Sequence, residues 1–135
     1  TAYENVALIA ELTGGGVDER TSGALASVGL GDRMDHFPGQ LSGGEQQRVS
    51  IARGLVKDPP LMLCDEPTGA LDTETGTQVL TLLRDVTDSG DRTIIVVTHN
   101  SEIAKIANRV IDLRDGEIVE TFEVESPMHP ADVAW

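Results

Sequence analysis

LSGGEQQRVSIARGLVKDPPLMLCDEPTGALD, residues 41–72, reads as a glycine turn, a helix, a buried strand and a second turn that opens another helix. Ser42 and Glu45 stand at the capping-box spacing, which marks a helix start. Gly43 and Gly44 let backbone approach a ligand, and their N–H groups lie at the positive end of that helix, where anions such as phosphate bind. Val49, Ala52, Leu55 and Val56 recur at helical spacing, so the helix is expected over 43–57. Lys57 suits its negative end. Asp58-Pro59-Pro60 then stops it, because proline cannot continue the hydrogen-bond ladder. Leu61-Met62-Leu63-Cys64 is an unbroken apolar run, the pattern of a strand buried on both faces. Asp65 and Glu66 follow at its end. Asp72 is an N-cap residue for a helix from Thr73 to about Thr87, with Val79, Leu82, Leu83 and Val86 on its apolar face.

Working outward, Asp88-Ser89-Gly90-Asp91 is a turn, and Thr93 to Val97 (TIIVV) is a β-branched strand, also expected to be buried. Thr98-His99 ends that strand. Two buried strands around one helix make a βαβ unit, so they are expected to be parallel neighbours about 4.8 Å apart. Asp65, Glu66 and His99 then leave the sheet on one edge, the edge along which open α/β sheets bind ligands. Asn100 or Ser101 caps a short helix to about Ala107. Val110–Leu113 and Glu117–Val119 are strands joined across Asp115-Gly116, a strong hairpin signal, with 121–124 extending the second. Residues 126–135 read as a loose tail.

Upstream, Thr1 and Glu4 make another capping box for a helix to Leu12, and Val6, Ile9 and Ala10 share a face. Thr13 to Gly16 is a flexible break. Val17 to Val28 is a second helix with Gly29 as its stop. Leu30 to Gln40 is a loop, in which His36 reads as a solvated histidine. Arg48 and Arg53 read as a solvated or salt-bridged helix face.

The motifs resemble those of one family. LSGGEQQR looks like the signature motif of ATP-binding-cassette (ABC) ATPases, LMLCDE like the Walker B strand with its glutamate, Gly69-Ala70-Leu71-Asp72 like the D-loop, and Thr98-His99 like the switch histidine. The opening TAYENVAL and the run GLGDRMDHFPGQLSGGEQQRVSIARGL are similar to the transporter ATPases of lipoprotein release and macrolide export. The resemblance implies an α/β P-loop NTPase fold, truncated: a parallel sheet flanked by helices, part of a helical subdomain, and a C-terminal hairpin. It divides the chain into 1–42 (rest of the helical subdomain), 43–125 (ATPase core) and 126–135 (tail).

By the same resemblance, ATP and Mg²⁺ are the ligands. Glu66 and His99 are the catalytic residues. Leu41, Ser42, Gly43, Gly44, Glu45 and Asp72 contact ATP, and Asp65 holds Mg²⁺ through water. An Asp after a buried strand suits the metal, and the neighbouring Glu can orient or deprotonate the attacking water. His99 can contact the γ-phosphate. Spacing alone lets Ser42 act on a nucleotide held by its own chain. The family instead implies a head-to-tail pair in which the signature of one ATPase domain closes on the nucleotide of the other.

The partners implied are that second ATPase domain and a transmembrane permease, with the protein cytoplasmic and peripheral on the membrane's inner face. A soluble member of the class acting in DNA repair or translation is the alternative, and a non-catalytic dimerisation or binding piece is a third reading. The family's phosphate loop, G-x-x-x-x-G-K-[ST], is absent from the sequence. No lysine follows Gly14-Gly15-Gly16. The chain is therefore expected to begin inside the helical subdomain, to be inactive alone and to self-associate.

Composition sets bounds on this. A formal charge of −13 over 135 residues, with no basic stripe, argues against a nucleic-acid partner. Asp115, Glu117, Glu120, Glu123, Glu125 and Asp132 make the C-terminal segment acidic, unsuited to DNA or an anionic membrane. No apolar run approaches the ~20 residues that cross a bilayer. Cys64, the single cysteine, reads as an inert core thiol.

Overall fold

The computed structural model describes residues 1–90 and 92–133. The expected turn at Asp91 and the last two residues of the expected tail lie outside the described residues. Three helices come first in the packing. α1 (Ala2–Glu11) starts at Thr1 with both capping-box hydrogen bonds present. α2 is Val17–Ser27. α3 (Gly43–Leu55) starts at Ser42, again with a complete capping box, and ends two residues before the expected 57. Between α2 and α3 the expected loop contains a short 3-10 turn, Pro38–Gln40. The backbone N–H groups of Ala2 and Tyr3 donate to the carbonyls of His36 and Met34 at 2.9 Å, so this loop seals the N-terminus of α1.

β1 (Leu61–Asp65), α4 (Thr73–Asp88) and β2 (Thr93–Val97) form the βαβ unit. β1 and β2 pair in parallel, from Leu61 opposite Thr93 to Asp65 opposite Val97. β3 (Arg109–Arg114) and β4 (Glu117–Glu123) form a separate antiparallel hairpin. Its turn needs two consecutive left-handed residues, and Asp115 (φ 52°) with Gly116 (φ 81°) supplies them. The core is continuous from Ala2 to Ile103 and joins all four helices to β1. Leu25, Val6 and Val79 are fully enclosed in it. A Cβ at Gly54 would come within 2.8 Å of Met62 Cε, which measures how closely α3 lies on β1. Arg20 on α2 donates to the carbonyl of Val56 at 2.5 Å, tying the helical layer to the end of α3.

Three expectations are corrected. The strands are not buried on both faces. Met62 and Cys64 are covered by helices, but Leu61 and Leu63 are 50% and 69% exposed, and Ile95 and Val97 are 45% and 54% exposed. Side chains alternate along a strand, so one face of this two-stranded sheet is packed and the other is bare. The apolar run recorded that both faces need cover, and among the described residues only one receives it. Second, the segment after Asn100 is a 3-10 turn, Ile103–Ile106, rather than an α-helix. Third, the tail is docked: Met128 donates to the carbonyl of Lys105 at 2.9 Å, and the 3-10 turn Pro130–Asp132 packs on α4 with Pro130 buried.

Leu25→Ala is expected to lower the unfolding free energy by about 3 kcal/mol, the usual effect of emptying a packed leucine site, measured by urea denaturation. Removing residues 126–133 is expected to lower the melting temperature, because α4 then loses the cover of Pro130. An unchanged melting temperature would show that the docked tail adds nothing.

Candidate functional site

The site begins where β1 ends. The N–H of Glu66 donates to the carbonyl of Val97 at 2.9 Å, which carries the parallel pairing one residue past Asp65. Glu66 then takes a left-handed backbone conformation, φ 43°, disfavoured for a residue with a Cβ. That twist breaks the strand alternation, and the following turn buries Pro67 and Thr68. The Glu66 side chain is received by the end of β2. Its Oε1 accepts from the backbone N–H of His99 at 3.0 Å and lies 2.7 Å from His99 Nδ1. Its Oε2 accepts from Thr98 Oγ1 at 3.2 Å. Thr98 Oγ1 in turn accepts from the N–H of Asn100 at 3.1 Å.

Strain at Glu66 is therefore held by one backbone and three side-chain contacts, the pattern of a residue fixed for use. The contact with the His99 side chain is the main cause that holds the Glu66 carboxyl below the usual glutamate range. With Nδ1 donating to Glu66, the opposite ring nitrogen, Nε2, is an acceptor in the neutral ring and a donor in the doubly protonated one. His99 is largely solvent-exposed, so that nitrogen is available to a ligand. Glu66, Thr68, Leu71, Thr98, His99 and Asn100 line an open cleft of about 250 Å³.

Asp65 does not share this cleft. As the last strand residue it alternates with Cys64, is exposed, and lines a different groove against Gln47, Ser50 and Lys57 of the α3 side. Among the described residues no group of three or more His, Cys, Asp or Glu side chains could hold a metal ion. A lone carboxylate still fits Mg²⁺, which keeps water and takes phosphate oxygens as its remaining ligands.

None of the residues 41–45 lines the cleft. Leu41 is buried, whereas Ser42 and Gly43 are exposed. Ser42 Oγ accepts from the N–H of Glu45 at 3.2 Å, and Glu45 Oε2 accepts from the N–H of Ser42 at 2.7 Å. The Ser42 N–H is the largest cause of the lowered Glu45 carboxyl pKa, with Arg33 and Arg48 adding smaller attractions. Gly44 is buried, and its missing side chain leaves room for Thr75 of α4.

Asp72 caps α4, accepting from Thr75 N at 3.0 Å and from Thr75 Oγ1 at 2.7 Å. These contacts lower its pKa, the Thr75 N–H being the largest cause. Residues 69–72 join the two clusters, because Leu71 lines the cleft and also lies beside Gly43.

Sequence reasoning missed several functional-looking partners. Thr98 holds Glu66, and its signal was a hydroxyl one residue before a strand-end histidine. Arg48 does not face solvent alone: it donates to Gln78 Oε1 of α4 at 3.1 Å, and its Nε is buried. His36 is half-buried, with Arg33 3.3 Å from its Nε2. The Arg48 contact has no local sequence signal, since it bridges α3 and α4.

The comparisons with known proteins point one way. The family model described as "ABC transporter" matches residues 1–69. The macrolide export ATP-binding/permease protein MacB of Hyphomonas neptunium is 50% identical over 122 residues, 88% of this chain and 19% of that protein. An uncharacterized ABC transporter ATP-binding protein of Methanocaldococcus jannaschii is 52% identical over 102 residues, 76% of this chain and 45% of that one. Among solved structures, the dimeric ATP-binding cassette MJ0796 bound to ADP and Pi superposes with a TM-score of 0.80 at 38% identity, covering 93% of this chain and 57% of that one. A bacterial Atm1-family ABC exporter with ATP bound gives a TM-score of 0.72 at 30% identity, covering 92% of this chain and 23% of that one. The chain thus spans about a fifth of its macrolide-export relative and a little over half of the cassette.

In a carbon-detected NMR titration, Glu66 is expected to titrate below the usual glutamate range. His99→Ala should move it back up strongly, and Thr98→Ala less. The sign for stability follows. A carboxyl depressed by folding stabilises the fold above its unfolded pKa, and that contribution disappears as pH falls through the depressed value. The His99→Ala chain should therefore lose less stability on acidification than the unaltered chain.

Proposed function

Because the chain belongs to the ABC transporter family, we propose that it is part of the ATP-binding unit of a membrane transporter, where ATP hydrolysis drives a substrate across or out of a membrane. The observation that carries this reading is the Glu66 carboxylate, held by His99 and Thr98 at the ends of two parallel strands and facing an open cleft. In this role Glu66 orients the attacking water and takes its proton. His99 keeps the Glu66 carboxylate in place through Nδ1–H and, when its ring carries both protons, donates from Nε2 to the terminal phosphate. Asp65 would hold Mg²⁺, which when bound neutralises charge on the phosphates.

Leu41, Ser42, Gly43 and Glu45 would serve the nucleotide of a second ATPase domain, and Gly44 and Asp72 would support that surface. None of residues 41–45 lines the Glu66 cleft, which supports this arrangement over action within one chain. The relative MJ0796 is described as dimeric, and the macrolide-export relative as an ATP-binding/permease protein. Pairing with a second ATPase domain and with a permease is therefore the assembly we propose. Among the described residues no helix is long and apolar enough to cross a membrane, so attachment to the membrane's inner face would come through that permease. Residues 1–42 serve as helical subdomain, 43–125 as catalytic core, and 126–133 as a strap on α4.

The test is phosphate release from ATP. With no lysine-bearing phosphate loop in its sequence, the isolated chain is expected to show no turnover; a rate near that of an intact cassette would overturn this. In a mixed pair with an intact cassette, Ser42→Ala in this chain should reduce hydrolysis at the cassette's nucleotide. Loss confined to this chain's own cleft would refute pairing in trans.

Self-association is the second expectation. Leu61, Leu63, Ile95 and Val97 leave an apolar face and free strand edges, which draw other strands. Light scattering should give a mass above the monomer, and Leu63→Lys with Ile95→Lys should shift it toward the monomer. A monodisperse monomer without substitution would count against it.

A further inference from the structure

The first turns of α3 and α4 approach each other closely at Gly44 and Thr75. A Cβ built on Gly44 would lie 1.9 Å from Thr75 Cγ2, 3.3 Å from Thr75 Cβ and 3.7 Å from Thr75 Oγ1. An approach of 1.9 Å cannot be absorbed without moving the threonine or the helix. The same threonine uses its hydroxyl to donate to Asp72 Oδ2 at 2.7 Å and its backbone N–H to donate to Asp72 Oδ1 at 3.0 Å. Leu71, one residue earlier, stands beside Gly43. The two glycines thus have different tasks: Gly44 admits Thr75, and Gly43 stays open.

We infer that Thr75 is a positioning residue, whose methyl seated on Gly44 and hydroxyl bound to Asp72 lock the 41–45 turn and the 69–72 turn into one rigid surface, offered as a unit to a second ATPase domain. The last clause rests on the function proposed above; the lock itself does not. A β-branched residue suits the task because its methyl and hydroxyl leave the same Cβ with restricted rotation. Moving either turn must therefore move the other.

The lock is tested in the 135-residue chain with Gly44→Ala, Thr75→Ser and the double variant. The readout is the Asp72 carboxyl titration by NMR, which a general loss of stability in a folded chain does not shift. Gly44→Ala should displace Thr75, break its hydroxyl bond to Asp72 and raise the Asp72 pKa toward the ordinary aspartate range. Thr75→Ser keeps the hydroxyl and removes the methyl, so Asp72 should stay low. In the double variant the nearest remaining atom is Cβ at 3.3 Å, so the low value should return.

An unmoved Asp72 in Gly44→Ala, or a double variant as perturbed as Gly44→Ala, overturns the lock. If Gly44→Ala does not fold, a folded double variant supports the lock and an unfolded one overturns it. Association with an ATP-loaded intact cassette reports separately on the surface. Gly44→Ala should weaken it by about tenfold or more and the double variant should restore it. A Gly44→Ala chain that associates normally overturns the positioning role. Failure of the unaltered chain to associate overturns the shared-surface clause and the ATPase pairing, while the Asp72 titration still decides the lock.

Discussion

The parallel pairing of β1 with β2 is the constraint on which the site depends. It fixes Asp65 opposite Val97 and continues through the Glu66 N–H to the Val97 carbonyl. With the backbone pinned there, Glu66 has to turn into a left-handed conformation, and its carboxylate meets the first two residues beyond β2. A slip of one residue would send the strand side chains to opposite faces and separate Glu66 from His99. The hydrogen bonds to Thr98 and His99 are thus a consequence of register, and they in turn hold a conformation that the backbone alone disfavours.

Helix ends carry the second half of the arrangement. α3 and α4 both begin at side-chain caps, Ser42 and Asp72, and their first turns touch through Gly44 and Thr75. Capping satisfies the free N–H groups of a helix start and so fixes where each helix begins. Because both starts are fixed, the contact between them is too. The clusters on either side of Leu71 are therefore related by rigid elements and not by a loose loop.

The bare side of the two-stranded sheet has the same origin as its packed side. A parallel strand buried on both faces is apolar throughout, and β1 and β2 have that composition. Helices α3 and α4 satisfy one face. Leu61, Leu63, Ile95 and Val97 occupy the other, and the hairpin strands β3 and β4 likewise leave Ile111, Leu113 and Ile118 exposed. The solved cassette, to which this chain corresponds over 57% of its length, has more protein with which to cover such surfaces.

Much was legible in the residues themselves. The capping boxes at Thr1 and Ser42, the cap at Asp72 and the turn at Asp115-Gly116 are local chemistry, complete within a few residues, and each lies where the sequence put it. The parallel βαβ order followed from periodicity and connection length, and the meeting of Glu66 with His99 followed from that order. What tertiary structure alone decided lies between segments distant in the chain. Gly44 makes room for Thr75, Arg48 reaches Gln78, Thr98 holds Glu66, and the tail folds back on α4. A side chain's type states what contact it can make, but the partner is chosen by how helices and strands pack, and no local spacing encodes that choice.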